Sequence, residues 1–305
     1  MVNQQKKMRK IIEKLSYKTR SRWNAWFHQR KKQKIRRRIL SHFAQHPPQD
    51  HELQEAVGYL SKHTLSTFYG TFQDKYHADQ VIVHTDTSNG LPYVITEGKR
   101  LYFKRSFNKR TVQLLYNILC MEQDRDAPHC YTDPAFGINE GDILADVGCA
   151  EGYFSLLHIE KLKTTYLFEQ DREWIEALEA TFSPWKEKVI IVPAFVSDKD
   201  DNEHVSLDNF FLQISGKPVF YKIDVEGAEA SVLKGMNRLL KSTTAKIALC
   251  TYHHKEDFDV FSRFFEASGF RQRANPGLMI YQNDLDHMDP PFFRKCLIKA
   301  MNYEV

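Results

Sequence analysis

Seven residues, Asp146-Val147-Gly148-Cys149-Ala150-Glu151-Gly152, constrain the fold of this chain more than any others. They follow the apolar run Ile143-Leu144-Ala145, which reads as a buried strand, and precede Tyr153-Phe154-Ser155, where a helical pattern opens. A strand that turns into a helix through small residues lets a ligand come close to the backbone. The helix start offers it free N–H groups and the positive end of a dipole. Asp146, at the strand end, can hold an amino group or a bridging water. Gly148, Cys149, Ala150, Gly152 and Phe154 form the rest of the cradle. Glu169 follows Asp146 by 169 − 146 = 23 residues, at the end of the next apolar run, with Gln170 beside it. A carboxylate in that place accepts the two hydroxyls of a ribose.

The turn discriminates between ribose-bearing cofactors. A dinucleotide fold wants Gly-x-Gly-x-x-Gly for its pyrophosphate. Here the turn reads Gly-x-Ala-x-Gly and carries an acid, Glu151, inside it. That acid repels a pyrophosphate and tolerates a sulfonium, so S-adenosyl-L-methionine is expected over a nicotinamide.

A second stretch, Lys222-Ile223-Asp224-Val225-Glu226-Gly227-Ala228-Glu229, reads as another buried strand ending in carboxylates. Methyl transfer from a sulfonium is an in-line displacement that needs a positioned acceptor and a group to take its proton. Lys222, Asp224 and Glu226 are the candidates at this strand end, and Asp224 also lies beside the expected cofactor. Glu226 and Glu229 have a competing reading as helix-start carboxylates. His253, in Thr251-Tyr252-His253-His254 after the fifth strand, has the ordinary pKa of about 6.5 that suits a general base. Its competing reading is structural. Asp224, Glu226 and His253 contain metal-ligand types, but nothing fixes their spacing, and no metal is expected.

Around these stretches the chain alternates strand and helix. Strands are expected over 143–147, 165–168, 189–192, 219–223 and 247–251. Helices are expected from 153, over 172–181, through 228–240 and over 256–267. Residues 270–274 and 278–281 flank Asn275-Pro276-Gly277 and read as a closing hairpin. This rhythm predicts an α/β fold: a Rossmann-like, doubly wound, mostly parallel sheet. It is preceded by an N-terminal extension of helices and a small β element. In that extension, helices are expected over 50–66 and 109–123, and short strands at 81–83, 93–95 and 101–103.

Charge divides the chain further. Residues 1–45 hold fifteen Lys or Arg against one acid, Glu13, a charge of +14, so the remainder carries −10 of the net +4. The reading is a basic amphipathic helical arm over 1–45, an accessory segment over 46–135 and a cofactor-binding domain over 136–305. Met8, Ile11, Ile12 and Leu15 fall at helical spacing, as do Trp23, Trp26 and Phe27. The arm suits packing on the domain or on a second copy, peripheral contact with an anionic membrane surface, or binding to a polyanion such as nucleic acid. Nothing in it reads bases, so no specific nucleic acid is expected. Five cysteines without CxxC spacing argue against a disulfide framework or a zinc knuckle. With no apolar run of the roughly 20 residues a span needs and no signal-peptide core, a cytoplasmic protein is expected, membrane-peripheral where the arm meets an anionic surface.

Three ordered segments resemble one family. Gly141-Asp142-Ile143-Leu144-Ala145-Asp146-Val147-Gly148 with Glu151-Gly152-Tyr153-Phe154-Ser155 resembles the opening motif of the FkbM-type methyltransferases. Ser206-Leu207-Asp208 with Phe210 resembles their middle segment, and Lys222–Glu229 followed by Val232-Leu233-Lys234-Gly235 resembles their hallmark. Glu122-Gln123-Asp124, Pro128-His129 and Tyr131 resemble a segment that forms a lid or wall in some members. The resemblance covers roughly 139–282. It implies a class I, S-adenosylmethionine-dependent O-methyltransferase acting on a hydroxyl of a sugar, polysaccharide or glycosylated metabolite. By position it carries over Asp146, Gly148 and Glu169 to the cofactor, Ser197 and Asp198 to the neighbourhood of the adenine, and Asp224 and His253 to the acceptor. Gln170 stands where members often have Pro, and Cys250 and Thr251 stand where many have a Glu before the His. The alternative is a methyltransferase fold without catalysis that serves as a scaffold through its basic arm. A homodimer is open.

Overall fold

The structure, a computed structural model, describes residues 17–212, 214, 216–282 and 288–303, with side chains from residue 29 onward. The expected apolar stripe Met8–Leu15 and the side chains of Trp23, Trp26 and Phe27 lie outside the described part. The chain divides into two compact units.

The first unit holds the described residues up to Gly70 together with those of Ile280–Phe293. Its helices are α1 (Tyr17–Gln45) and α2 (His51–Lys62). Asp50 starts α2 by accepting the Leu53 N–H at 2.9 Å. Where residues 50–66 read as one helix, α2 stops at Lys62 and His63 is extended. Arg36 of α1 explains the clean end. Its guanidinium donates to the carbonyls of Leu60, Ser61 and His63 at 2.8, 2.5 and 2.7 Å, groups that a helix end leaves without partners. Ile35 and Ile39, one turn apart, are the buried face of α1. Among the described residues no helix is long and apolar enough to cross a membrane.

The second unit runs from Thr71 to Met279 and resumes at Arg294. It opens with a three-stranded antiparallel sheet of β1 (His84–Thr85), β2 (Pro92–Thr96) and β3 (Lys99–Tyr102). Val81–Val83 precedes this sheet and is not a strand. Helix α3 (Lys109–Glu122) follows, capped by Asn108. Then come β4 (Ile143–Val147), α4 (Tyr153–His158), β5 (Thr164–Phe168), α5 (Arg172–Phe182), β6 (Val189–Val192), β7 (Phe195–Val196) and β8 (His204–Val205). The chain continues through α6 (Leu207–Leu212), β9 (Phe220–Ile223), α7 (Glu229–Lys234), α8 (Asn237–Ser242), β10 (Lys246–Cys250), α9 (Asp257–Ala267), β11 (Arg271–Ala274) and β12 (Leu297–Met301).

Seven of these strands form one sheet in the order β11-β12-β10-β9-β4-β5-β6. The five central and edge strands β10, β9, β4, β5 and β6 are parallel, while β12 is antiparallel to both neighbours. The doubly wound sheet expected from the sequence is therefore present. Its closing hairpin is different: β11 pairs with Leu297–Met301, and Leu278–Tyr281 forms no strand. The reason is burial. Leu297, Ile298 and Ala300 are fully enclosed, so this segment gains more as an interior strand than 278–281 could at an edge.

The helix expected through 228–240 is two helices. Gly235 separates them, because a Cβ there would lie 2.0 Å from the Ser197 carbonyl oxygen. Asp208 restarts the helix by accepting the N–H groups of Arg238 and Leu239 at 2.9 and 2.8 Å. The Ser206-Leu207-Asp208 motif thus has a structural task, holding α8.

Candidate active site

The chain order reverses at β4: β5 and β6 lie on one side, and β9 and β10 on the other. Ligands of doubly wound sheets sit in the crevice outside the carboxyl ends of such strands. A cavity of about 530 Å³ opens there. It is walled by the turn after β4, the ends of β5 and β9, Ala194–Val196, and residues of α3.

The turn's shape follows from its sequence. Gly148 has φ +71°, and a Cβ would meet the Asp224 carbonyl oxygen at 2.0 Å, so only glycine lets the turn pass the end of β9. Ala150 and Glu226 hold positive φ of 48° and 54° without being glycine, a strain of about 1–3 kcal/mol each that a structure keeps only where its surroundings impose it. Gly152, φ +74°, does not line the cavity. Its missing Cβ leaves room for Leu178 and Phe182 of α5, the nearest ring atom being only 2.7 Å from where that Cβ would sit.

Asp146 is buried at the end of β4. It accepts from Ser155 Oγ at 2.7 Å and faces Lys222 Nζ at 3.1 Å. Lys222 also donates to the Gly148 carbonyl at 2.5 Å, tying β9 to the turn. Its ammonium is held well above the ordinary lysine range. Burial opposes the charge, but Asp146 and Asp224 outweigh it. Glu169 ends β5 and accepts the N–H groups of Ala150 and Asp171 at 3.2 and 2.7 Å. Cys149, Ala150, Phe154 and Gln170 line the same cavity. Ser197 and Asp198 do not. The Ser197 N–H is taken by Val205, and Asp198 is bonded to Ser231 of α7, which turns this segment away and leaves Ala194, Phe195 and Val196 as the wall.

Asp224 occupies the cavity floor and is the best-surrounded carboxylate in the site. Tyr131 donates to Oδ2 at 2.9 Å, and Tyr252 to Oδ1 at 3.2 Å. His253 Nε2 stands 3.7 Å from Oδ1, and His129 Nε2 3.8 Å from Oδ2. Burial pushes its pKa up, but Lys222, His129, His253 and the Tyr131 bond prevail and hold it below the usual carboxylate value. The two imidazoles differ. Burial drives His129 down to about 4, so it is neutral. Burial also acts against the charge of His253, but Glu226, Glu229 and Asp224 overcome it and raise the pKa to about 10. His253 lies behind Asp224, outside the cavity lining, with Glu229 Oε1 2.9 Å from Nδ1 and Glu226 Oε2 3.5 Å from Nε2. This differs from the free imidazole base expected from the sequence: three carboxylates make His253 a cation at neutral pH. Asp224 also belongs to two groups with cation-ligand spacing, one with His129 and Cys250 and one with Glu229 and His253.

The cavity also holds Trp174 and Tyr252, which the sequence did not mark, Glu151, marked only as the acid inside the turn, and Glu122 and Tyr131, marked only as parts of a wall. Glu151 is buried and is raised to about 7, mainly by burial. Glu122 is raised to about 8, by burial and then by Asp224 and Glu151. One signal for Glu122 is present in the sequence. Leu115, Ile118, Leu119 and Glu122 share one face of α3 at helical spacing and all line the cavity.

These residues fit S-adenosylmethionine. The glycine turn admits a ligand against the backbone, and the Glu169 carboxylate is fixed by two N–H groups where a ribose is read. The surplus of acids matches a cofactor with a sulfonium and an ammonium against one carboxylate. Asp146, Gly148, Ala150 and Glu169 would hold it.

A family model, the methyltransferase FkbM domain, matches residues 110–297. No curated protein matches the chain. Among solved structures, a methyltransferase FkbM from Methylobacillus flagellatus KT shares 18% identity over 63% of this chain, with a TM-score of 0.43. The chain spans about half of that protein, 54%. A precorrin-6y C5,15-methyltransferase from Geobacter metallireducens GS-15 shares 12% identity over 55% of this chain and 84% of its own, with a TM-score of 0.39. A Streptococcus mutans protein solved in complex with SAH shares 12% over 54% of this chain and 90% of its own, with a TM-score of 0.35.

Proposed function

The chain belongs to the FkbM methyltransferase family, and from that membership we propose that it moves a methyl group from S-adenosylmethionine to a hydroxyl of a sugar, polysaccharide or glycosylated metabolite. Methylation from S-adenosylmethionine follows from the family. The hydroxyl and the saccharide are the reading proposed here.

The observation that carries it is the clasp on Asp224. When bound, the cofactor supplies an electrophilic methyl on a sulfonium. A neutral hydroxyl becomes strongly acidic as its oxygen bonds to carbon, so its proton leaves late and a weak base suffices. Asp224 is such a base: an ionised carboxylate on the cavity floor, aimed by Tyr131 and Tyr252. His253 and Glu229 stand behind it and fix its position. Lys222 fixes the turn and neutralises Asp146. Glu226, exposed at the rim, is available to a second hydroxyl of the acceptor. Vicinal hydroxyls are what saccharides present, and a floor and a rim carboxylate suit them.

The test is a transfer assay with S-adenosylmethionine labelled in the methyl group against a panel of saccharides and glycosides, with Asp224→Asn beside the wild type. The variant should bind the cofactor in calorimetry with unchanged affinity and lose about 10²–10⁴-fold in turnover, the range for removing a general base. Methylation of nitrogen or carbon centres instead of hydroxyls, or full turnover by Asp224→Asn, would remove the reading.

A further inference from the structure

We propose that the groove between α1 and the end of α2 binds a phosphate monoester or diphosphate carried on a larger molecule. This is a second ligand site, and it owes nothing to the methyl-transfer reading.

The groove has a volume of about 500 Å³ and lies wholly within the first unit. Four cations line it, Lys32, Arg36 and Arg37 of α1 and Lys62 of α2, and no carboxylate does. The helix period brings the first three together. Lys32 and Arg36 are four residues apart, as are Gln33 and Arg37, so both pairs share one side of α1, beside the buried Ile35 and Ile39. The other wall is the chain that leaves α2, Lys62 to Leu65, where His63 is extended.

Cations elsewhere in this unit find acids. Arg38, the next residue along α1, is paired with Asp289, and His51 stands 3.8 Å from Glu55. Lys32, Arg37 and Lys62 have no hydrogen bond and no ion pair among the described residues. Arg36 has another task. It is held by the carbonyls of Leu60, Ser61 and His63, so its guanidinium is fixed and covers the negative end of α2, which would otherwise repel an anion.

A half-buried ammonium with no anion beside it is costly. Burial accordingly lowers Lys32 from the ordinary lysine value. One anion in the groove would give a partner to three cations at once. Besides the cations, the lining offers the amide of Gln33 and the hydroxyl of Thr64, so it is rich in donors. A phosphate monoester or diphosphate answers with acceptor oxygens and two or more negative charges. A carboxylate brings only one charge. The volume leaves room beside the phosphate for part of the molecule that carries it.

The experiment uses the full chain and inorganic pyrophosphate in calorimetry at about 0.15 M salt, where distant exposed charges are screened. One saturable site with a dissociation constant below about 1 mM is expected. Lys62→Gln and Arg37→Gln should each weaken it about tenfold, the usual size of a charged hydrogen bond. Both side chains are exposed, so neither change disturbs the core. Lys34→Gln makes the same charge change on α1 outside the groove lining and should change the affinity little. Absence of saturable binding overturns the inference. So does a loss in Lys34→Gln equal to that in the groove variants, because it would show diffuse attraction to a basic helix. Vesicles carrying phosphatidic acid, a phosphate monoester, beside vesicles with equal charge from phosphatidylglycerol, a diester, identify the source of the phosphate. A preference for phosphatidic acid that Lys62→Gln removes places it on a lipid. Equal sedimentation with both, together with pyrophosphate binding, places it on a soluble molecule.

Discussion

Lys222→Met is the most informative single perturbation of this site. The side chains of Lys222 and Asp146 are 7% and 1% exposed, and their charges are 3.1 Å apart. At an effective dielectric constant near 20, that separation is worth ~5 kcal/mol of attraction. Removing both charges from water costs several kcal/mol per ion, so the pair as a whole contributes little net stability. Removing one partner is different. Methionine keeps the unbranched stem of lysine out to Cε and lacks the ammonium, and among the described residues Asp146 then keeps only Ser155 as a partner. The Gly148 carbonyl loses its donor, and Asp224 loses the favourable charge of Lys222. The expected loss is about 3–5 kcal/mol, the range for one-sided removal of a buried ion pair. The assay is urea unfolding of the full chain without cofactor, with Asp146→Asn and the double variant completing a cycle. Because the double variant no longer buries an unpaired charge at Asp146, it should be more stable than Lys222→Met alone. A Lys222→Met loss under about 1 kcal/mol, or a double variant less stable than both singles, would refute the argument that Lys222 compensates Asp146.

Other expected outcomes follow from single features. Gly148→Ala puts a Cβ 2.0 Å from the Asp224 carbonyl oxygen at φ +71°. It should abolish S-adenosylmethionine binding in calorimetry and lower stability by about 1–3 kcal/mol; binding at wild-type affinity would show that the turn has other room. His158 is lowered to about 4, by burial first and then by Lys161 and Lys99. It is neutral in the folded chain where the unfolded chain's histidine, near 6.5, is charged, so stability is full above about pH 6.5 and falls toward pH 4. The slope totals up to about 3 kcal/mol, and His158→Phe should flatten it in acid titrations of unfolding. Lys32, Lys34 and Arg37 on α1, within the basic arm, suit an anionic membrane surface. Replacing all three by Gln should weaken co-sedimentation with phosphatidylglycerol vesicles by about 100-fold at low salt, at about 1 kcal/mol per charge. A wild type that never sediments with them ends the membrane idea. Arg36→Ala uncaps α2 and should lower stability by about 1–2 kcal/mol; an unchanged unfolding midpoint would show that solvent satisfies those carbonyls as well.

What the sequence revealed of the fold was local. The turn at Gly148 and the strands on either side could be read because each is a short run whose residue types agree with its shape. The strand at 297–301 could not, because Lys299 interrupts an apolar run that is in fact interior. Its Nζ reaches Asp133, 166 residues away, at 2.7 Å. Lys246 does the same in β10, donating to the Gly137 carbonyl at 2.9 Å, and Lys222 in β9. Periodicity counts a lysine as solvated, and in three of the sheet's strands the lysine is buried and answered by a group elsewhere in the chain. The break at Gly235 is legible in part, because a glycine inside a helical pattern is a stop signal, but the Ser197 carbonyl that requires it lies elsewhere in the chain.

The site divides along the same line, and the division has a mechanistic consequence. Asp224 could be chosen from the sequence because it closes a strand beside the turn. Its chemistry could not, because that is set by residues from outside the motif: Tyr131, His129, Tyr252 and His253. An isolated histidine at 253 is a plausible base. The same histidine between Glu226, Glu229 and Asp224 carries a proton already and serves better as a counter-ion. On the reading proposed above, the acceptor's proton then goes to a group that lines the cavity rather than to one outside it. That makes the carboxylate at 224, and not the imidazole behind it, the residue whose removal should stop transfer while leaving the cofactor bound.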